Sequence, residues 1–313
     1  MKKVSFVIPC YRSEKTLEAV VKEITEAMLP LQEYEYEIIL VNDGSPDHTM
    51  STIEHICEEN KSVIGVDLAK NFGQHSALMA GYSLAAGDVV ISLDDDGQTP
   101  ACEVGKLLDK IEEGYDVVYA RYELKKHSAF RNFGTLMNLK MTELLLGKPR
   151  DLFISSYFAA KRFIIDEMLK YRNAFPYVEG LILRTTDRIC NVTVCHRSRM
   201  EGESGYSFRK LLALWLNGFT AFSVIPLRMA TYTGLVVAAC GFVFTIYTVI
   251  RKIVDPNVTV GWSSLVAIML FLGGLLLVML GLVGEYIGRI YISINNSPQY
   301  VMRRIIGQEE NRQ

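Results

Sequence analysis

Apolar residues in the first 120 positions fall in short unbroken runs that alternate with amphipathic stretches. Residues 4–9 (Val-Ser-Phe-Val-Ile-Pro) have the pattern of a buried strand. In 14–29, Leu17, Val20, Val21, Ile24 and Met28 are spaced for one helix face. The alternation continues with a strand at 36–41, a helix at 49–59, a strand at 63–68 and a helix at 74–86 stopped by Gly87. A strand at 89–93, a helix at 103–113 stopped by Gly114 and a strand at 116–120 complete it. Strands and helices at this spacing predict an α/β domain, Rossmann-like, with a mostly parallel sheet covered on both faces.

The second half has a different rhythm. In 208–227, Leu211, Leu212, Trp215, Phe219 and Phe222 recur with little charge, flanked by Arg209, Lys210 and Arg228. This suits helices lying in a lipid headgroup region, and a buried core helix would give the same pattern. Residues 229–250 and 262–284 are each long enough to cross a bilayer and hold no charge. The link between them carries Arg251 and Lys252. The other side carries Arg197, Arg199, Arg209, Lys210, Arg228, Arg289, Arg303 and Arg304, so the positive-inside rule places both termini in the cytosol. The expected division is a cytosolic domain at 1–207, interfacial helices at 208–228, a transmembrane hairpin at 229–284 and a cytosolic tail at 285–313.

Composition narrows the function. A net charge of −2 over 313 residues gives no basic excess for nucleic acid. The mean hydropathy of +0.17 comes mostly from the hairpin. Cys10, Cys57, Cys102, Cys190, Cys195 and Cys240 lack zinc-ligand spacing and are expected as free thiols in a reducing compartment. The apolar run at 4–8 is too short for a signal peptide, which keeps the globular part in the cytosol.

The candidate chemistry gathers after the fourth strand, at Asp94-Asp95-Asp96-Gly97-Gln98. Three adjacent anions repel one another and are tolerated mainly where a cation neutralises them. If the extended geometry continues, Asp94 and Asp96 point to one side and Asp95 to the other. Two carboxylates with the amide oxygen of Gln98 form a hard-oxygen set suited to Mg²⁺ or Mn²⁺. A solvated acidic turn has the same letters. Ligands of parallel sheets bind beyond the carboxyl ends of the strands, and that edge also receives Tyr11 and Glu14, Asp43, Lys70 and Asn71, and Arg121. Asp43 and Glu14 alone would pass as helix caps. No Gly-x-Gly-x-x-Gly and no Gly-x-x-x-x-Gly-Lys is present, so a metal held by carboxylates would take the place of a phosphate-cradling loop. The cluster Arg121, Lys125, Lys126, His127 and Arg131 is either a solvated loop or a phosphate clamp.

The stretches Val7-Ile-Pro-Cys-Tyr-Arg-Ser-Glu14, Val41-Asn-Asp-Gly-Ser-Pro46 and Asp94 to Gln98 resemble the nucleotide-sugar half of family-two glycosyltransferases of GT-A fold. The resemblance implies that Pro9, Tyr11, Glu14 and Asp43 hold base and ribose, with Lys70, Asp94 and Asp95 completing the nucleotide site. It implies Asp94, Asp96 and Gln98 as metal ligands; with Arg121 and Arg131 of the basic cluster as the cations for the diphosphate, Asp94, Asp96, Arg121 and Arg131 are the expected catalytic set. Residues 176–184 and 197–207 resemble the polyprenyl-phosphate branch, with Arg197, Arg199 and Arg209 as candidates for the lipid phosphate. Residues 284–291 are similar to bacterial undecaprenyl-phosphate sugar transferases, and dolichol-phosphate mannose synthases share the type. Two departures stand out. Ser155-Ser156-Tyr157-Phe158 replaces a Gly-Asp-Phe-Arg pattern, removing an acidic residue, and Gly205 replaces a lysine. The expected function is inverting transfer of a sugar, UDP-linked, to undecaprenyl phosphate at the cytosolic membrane face, for cell-envelope glycan modification. The competing expectations are a different membrane-associated acceptor, a processive synthase, for which a Gln-x-x-Arg-Trp stretch is missing, and a non-catalytic membrane scaffold. Oligomeric state is left open.

Overall fold

The apolar runs that open the chain become central strands because both of their faces are covered. In the computed structural model, which describes residues 1–122, 149, 151–195, 261–294 and 298–307 with scattered positions from 232 to 254, β1 is Lys2–Cys10. Phe6 and Ile8 enter one core cluster and Val7 the other. β2 (Tyr34–Asn42) repeats this, with Ile38 and Leu40 on one face and Ile39 and Val41 on the other. This is the period-two geometry of a strand buried on both sides.

Between them runs α1 (Leu17–Met28), whose buried residues are the five that the spacing selects. α2 (Thr49–Glu59), β3 (Val63–Leu68), α3 (Gln74–Leu84), β4 (Val89–Ser92), α4 (Val104–Glu112) and β5 (Val117–Tyr122) follow within a few residues of expectation. Then come β6 (Phe158–Lys161), α5 (Arg162–Leu169), α6 (Val178–Thr185), β7 (Ile189–Val194) and, far along the chain, β8 (Met302–Ile306). Buried residues of α1, α2 and α4 line one face of the sheet, and those of α3, α5 and α6 line the other.

The sheet has eight strands in the order β7-β5-β6-β4-β1-β2-β3-β8. It is mostly parallel, as expected, and mixed only through two reversed strands. β6 runs antiparallel between β4 and β5, and β8 runs antiparallel along β3. Neither strand shows in the hydrophobic pattern. β6 is a four-residue Phe-Ala-Ala-Lys, and β8 is an edge strand whose Arg303 and Arg304 are exposed, as edges commonly are.

The chain divides into two units, Met1–Tyr206 with Asn296–Gln313, and Ser207–Asn295. The tail thus returns to the first unit. In the second unit, α7 covers Trp262–Ile294, 33 residues or about 50 Å at 1.5 Å per residue. It continues ten residues past the expected end at Gly284. The sequence that follows it, Asn-Asn-Ser-Pro, is rich in residues that disfavour a helix. Counted over the described residues alone, no helix is long and apolar enough to cross a membrane. Residues 208–228 lie outside the described residues.

Candidate active site

β4 ends at Ser92, and the three carboxylates sit beyond it. They do not continue the strand: Asp95 and Asp96 occupy a turn closed by Gly97 at φ +72°, a backbone conformation that favours glycine. The conditional side-by-side alternation therefore does not apply, and a turn separates the carboxylates instead.

Asp95 faces the loop after β1. Its Oδ2 accepts the Tyr11 amide at 3.0 Å and a short hydrogen bond from the Ser13 hydroxyl. Its carbonyl accepts Thr16 Oγ1 at 2.6 Å. Burial pushes the Asp95 carboxyl up, the Ser13 and Tyr11 hydrogen bonds pull it down, and neighbouring Asp96 adds to the rise. Asp95 thus fastens the β1–α1 loop to the acidic turn.

Asp94 faces the opposite way. The antiparallel register pairs Ser92 with Phe158, so two residues on Asp94 meets Ser156. The Ser156 hydroxyl donates to Asp94 Oδ2, and Gln74 Nε2 donates to Oδ1 at 3.1 Å. Ser156, the departure from the family pattern, is therefore a partner of the first carboxylate. Asp96 accepts the Gln98 backbone amide at 3.0 Å, which closes the turn on that side. Tyr122, at the end of β5, has its phenol pushed up by burial and by the charges of both Asp94 and Asp96, so the three groups share one neighbourhood.

Asp43, nearly fully buried, uses both carboxylate oxygens on backbone amides: Phe72 at 2.7 Å and Gly73 at 2.8 Å. Burial raises its carboxyl, and these two amides pull it back. Glu14 accepts the His48 amide at 3.0 Å, at the start of α2. Each acid therefore holds the start of a helix, though not the helix that follows it in the chain. Gly44, at φ +60°, lies so close to the next loop that a Cβ there would stand 2.5 Å from the Asn71 nitrogen. Arg12, at φ +60° without being glycine, donates its amide to Ser45 Oγ at 2.8 Å. A strained non-glycine residue of this kind persists only where its surroundings hold it.

The C-terminal edges of β1 to β5 thus gather Tyr11, Asp43, Lys70 and the acidic turn, with Pro9 at the end of β1 and Arg121 exposed at the end of β5. Lys70 lies over the Phe72 ring at 5.0 Å and Arg12 over Tyr11 at 5.6 Å. Sequence reasoning missed Ser13, Gln74 and Tyr122. No local pattern singles them out, because each acts through a contact with a segment distant in the chain. Arg131, Arg197, Arg199 and Arg209 lie outside the described residues. The five described cysteines form no disulfide with one another.

Comparison with known proteins adds two segments. The model of glycosyl transferase family 2 matches residues 5–169, and that of the GtrB C-terminal hairpin matches residues 225–290. The undecaprenyl-phosphate 4-deoxy-4-formamido-L-arabinose transferase of Proteus mirabilis is 35% identical over 308 residues, 97% of this chain and 94% of that one. The protein of that name from Serratia proteamaculans is 36% identical over 318 residues, 99% and 96% of the two chains. Among solved structures, glucosyl-3-phosphoglycerate synthase from Mycobacterium tuberculosis, in complex with Mn²⁺, UDP-glucose and phosphoglyceric acid, superposes with a TM-score of 0.54. The identity is 20%, over 70% of this chain and 78% of that one. This likeness shows a GT-A-like fold.

Proposed function

The chain belongs to glycosyl transferase family 2, and from that membership we propose that it transfers a sugar from a nucleoside-diphosphate donor, UDP-linked, to undecaprenyl phosphate. The relatives of matching length carry that acceptor in their names. The observation that carries the reading is the acidic turn Asp94 to Asp96, tied through Asp95 to the β1 loop and through Asp94 to Gln74 and Ser156, in a chain that also carries a matched membrane-type hairpin.

The acceptor decides what the protein must supply. An alcohol would need a general base. A phosphate monoester has a second pKa of about 6 and is mostly dianionic at pH 7, so it attacks the anomeric carbon unaided. Inversion follows from attack opposite the leaving diphosphate. Ser156, in place of an acid, fits this acceptor: it orients Asp94 and takes no proton. The tasks left to the chain are holding the donor and meeting the charge that grows on the diphosphate. Pro9, Tyr11, Glu14, Asp43, Lys70 and Asp95 shape the nucleotide side, and Arg121 and Arg131 are the cations for the diphosphate.

The donor set of Asp94, Asp96 and Gln98 is hard oxygen only, and hydrogen bonds from Gln74, Ser156 and the Gln98 amide orient both carboxylates. It fits Mg²⁺ or Mn²⁺. A divalent ion bound there supplies positive charge at the leaving diphosphate.

The acceptor lipid requires a membrane site. Residues 229–250 and 262–284 are the proposed spans. Along α7, Leu276, Leu277, Val278 and Leu280 are exposed, the side chains that lipid would cover. Because β8 lies in the same sheet as β1, the chain leaves the first unit and returns to it. An insertion of that kind would cross a bilayer an even number of times, which supports both termini lying on one face, and the distribution of Arg and Lys supports the cytosolic one. Arg197, Arg199 and Arg209 are the residues proposed for the lipid phosphate.

The test is to incubate the purified protein with undecaprenyl phosphate, Mn²⁺ and a panel of labelled nucleotide sugars. A sugar-linked lipid formed with release of nucleoside diphosphate is the expected result. Release of nucleoside monophosphate would mean phosphosugar transfer, and no product with any donor would overturn the reading.

A further inference from the structure

The strand that follows the hairpin is tied into the loops assigned to the donor. Arg303 of β8 donates from one guanidinium nitrogen to Asp67 Oδ2 at 3.3 Å and from the other to the Ala69 carbonyl at 2.9 Å. The Ala69 amide in turn donates to the Val301 carbonyl at 2.8 Å. Both backbone groups of Ala69, the residue before Lys70, are therefore held by the tail. Asp67 is buried, and its other oxygen accepts Asn42 Nδ2 at 2.7 Å. The Asn42 Oδ1 accepts the Ser45 amide at 3.1 Å, and Ser45 Oγ accepts the Arg12 amide. One line of hydrogen bonds thus runs from Arg303 through Asp67 and Asn42 to the β2 and β1 loops.

These loops also fit against each other without slack. Gly44 abuts the backbone of Lys70 and Asn71, and Asp43 holds the amides of Phe72 and Gly73. Gly44 leaves no room for a Cβ beside Lys70 and Asn71, so the position of Ala69 is coupled to that of the β2 loop. Removing Arg303 would leave the buried Asp67 carboxylate with Asn42 as its one partner among these contacts, and loss of a charged hydrogen bond at such a group is costly.

We propose that β8 is part of the floor of the donor site, with Arg303 as a positioning residue that holds the β3 and β2 loops in the geometry that accepts a nucleoside diphosphate. The donor site is then complete only when the segment after the hairpin is docked on the edge of the sheet. This rests on the glycosyltransferase reading for the identity of the donor. Arg304 supplies an internal control. It is the next residue of β8 and pairs with Glu54 of α2, away from the loops.

The experiment measures binding of UDP, ADP and GDP, and donor KM, acceptor KM and kcat, on the full-length protein carrying Arg303→Ala, Arg303→Lys or Arg304→Ala. For Arg303→Ala, the dissociation constant of the preferred diphosphate and the donor KM should rise about tenfold, with acceptor KM and kcat within threefold of wild type. Arg303→Lys should recover part of the affinity, and Arg304→Ala should stay within twofold. Unchanged binding in Arg303→Ala, or an equal loss in Arg304→Ala, overturns the role of Arg303 while leaving the reaction intact. A wild-type protein that binds none of the diphosphates overturns both this inference and the reading beneath it.

Discussion

Asp96 is the side chain whose loss should cost most in rate, because a charge-stabilising group at a leaving diphosphate acts mainly in the transition state. Asp96→Asn keeps an acceptor for the Gln98 amide, so the turn should survive. The expected loss in kcat is about 10²- to 10³-fold at saturating Mn²⁺, by the magnitude typical of a removed electrostatic stabiliser. A wild-type initial rate in that variant would remove Asp96 from the site. Glu37 shows how a buried acid behaves when it is structural. Burial alone would raise its carboxyl, but hydrogen bonds from Lys3, Ser5 and the Ala86 amide outweigh this and hold it below the usual range. A depressed folded-state pKa contributes stability above the unfolded value, near 4.3, that is lost as pH falls through the folded one. Denaturant titrations between about pH 5 and pH 3 should therefore show stability falling, and Glu37→Gln should flatten that decline. An equally steep decline in the variant would exclude this source.

At the scale of elements, the close seating of α3 on the sheet is the feature most exposed to test. A Cβ at Gly81 would stand 2.3 Å from Val7 Cγ1 and 3.1 Å from Val41 Cγ2. Both are stiff β-branched side chains within buried strands. Gly81→Ala gains roughly 1 kcal/mol of helix propensity and meets overpacking of about 1–3 kcal/mol. The clash should win, and chemical denaturation should show a net loss. A more stable variant would show that the helix can shift. The strands from β1 to β5 were legible because each is a short apolar run bounded by an amphipathic helix. β6 and β8 were not, since a strand of four residues has no measurable period and an edge strand shows only one weakly apolar face. The role of Ser156 was hidden for the same reason: it meets Asp94 only through the β4–β6 register, which no local pattern encodes.

For the whole molecule, the return of the tail to the first sheet sets a topological demand on everything between. Cys102 and Cys195, both exposed in the first unit, should react with a membrane-impermeant maleimide in inverted vesicles and stay unlabelled in sealed cells. A tag after Gln313 should follow the same sidedness. Labelling of Cys102 from the outer face would overturn the proposed orientation. The amino-acid order by itself determined the strand–helix alternation, the acidic triplet at a strand end and the two uncharged runs of spanning length. These are local properties, set by hydrophobic period and by charges adjacent in the chain. Tertiary structure alone decided which acids serve as fasteners, as Asp43 and Asp95 do, and which stand with Tyr122 at the candidate metal position. It also decided that Arg303, 236 residues from Asp67 in the chain, lies against the loops after β2 and β3. Such pairings depend on strand order and register, and those are fixed when distant segments bury their faces together, a condition that no short stretch of sequence contains.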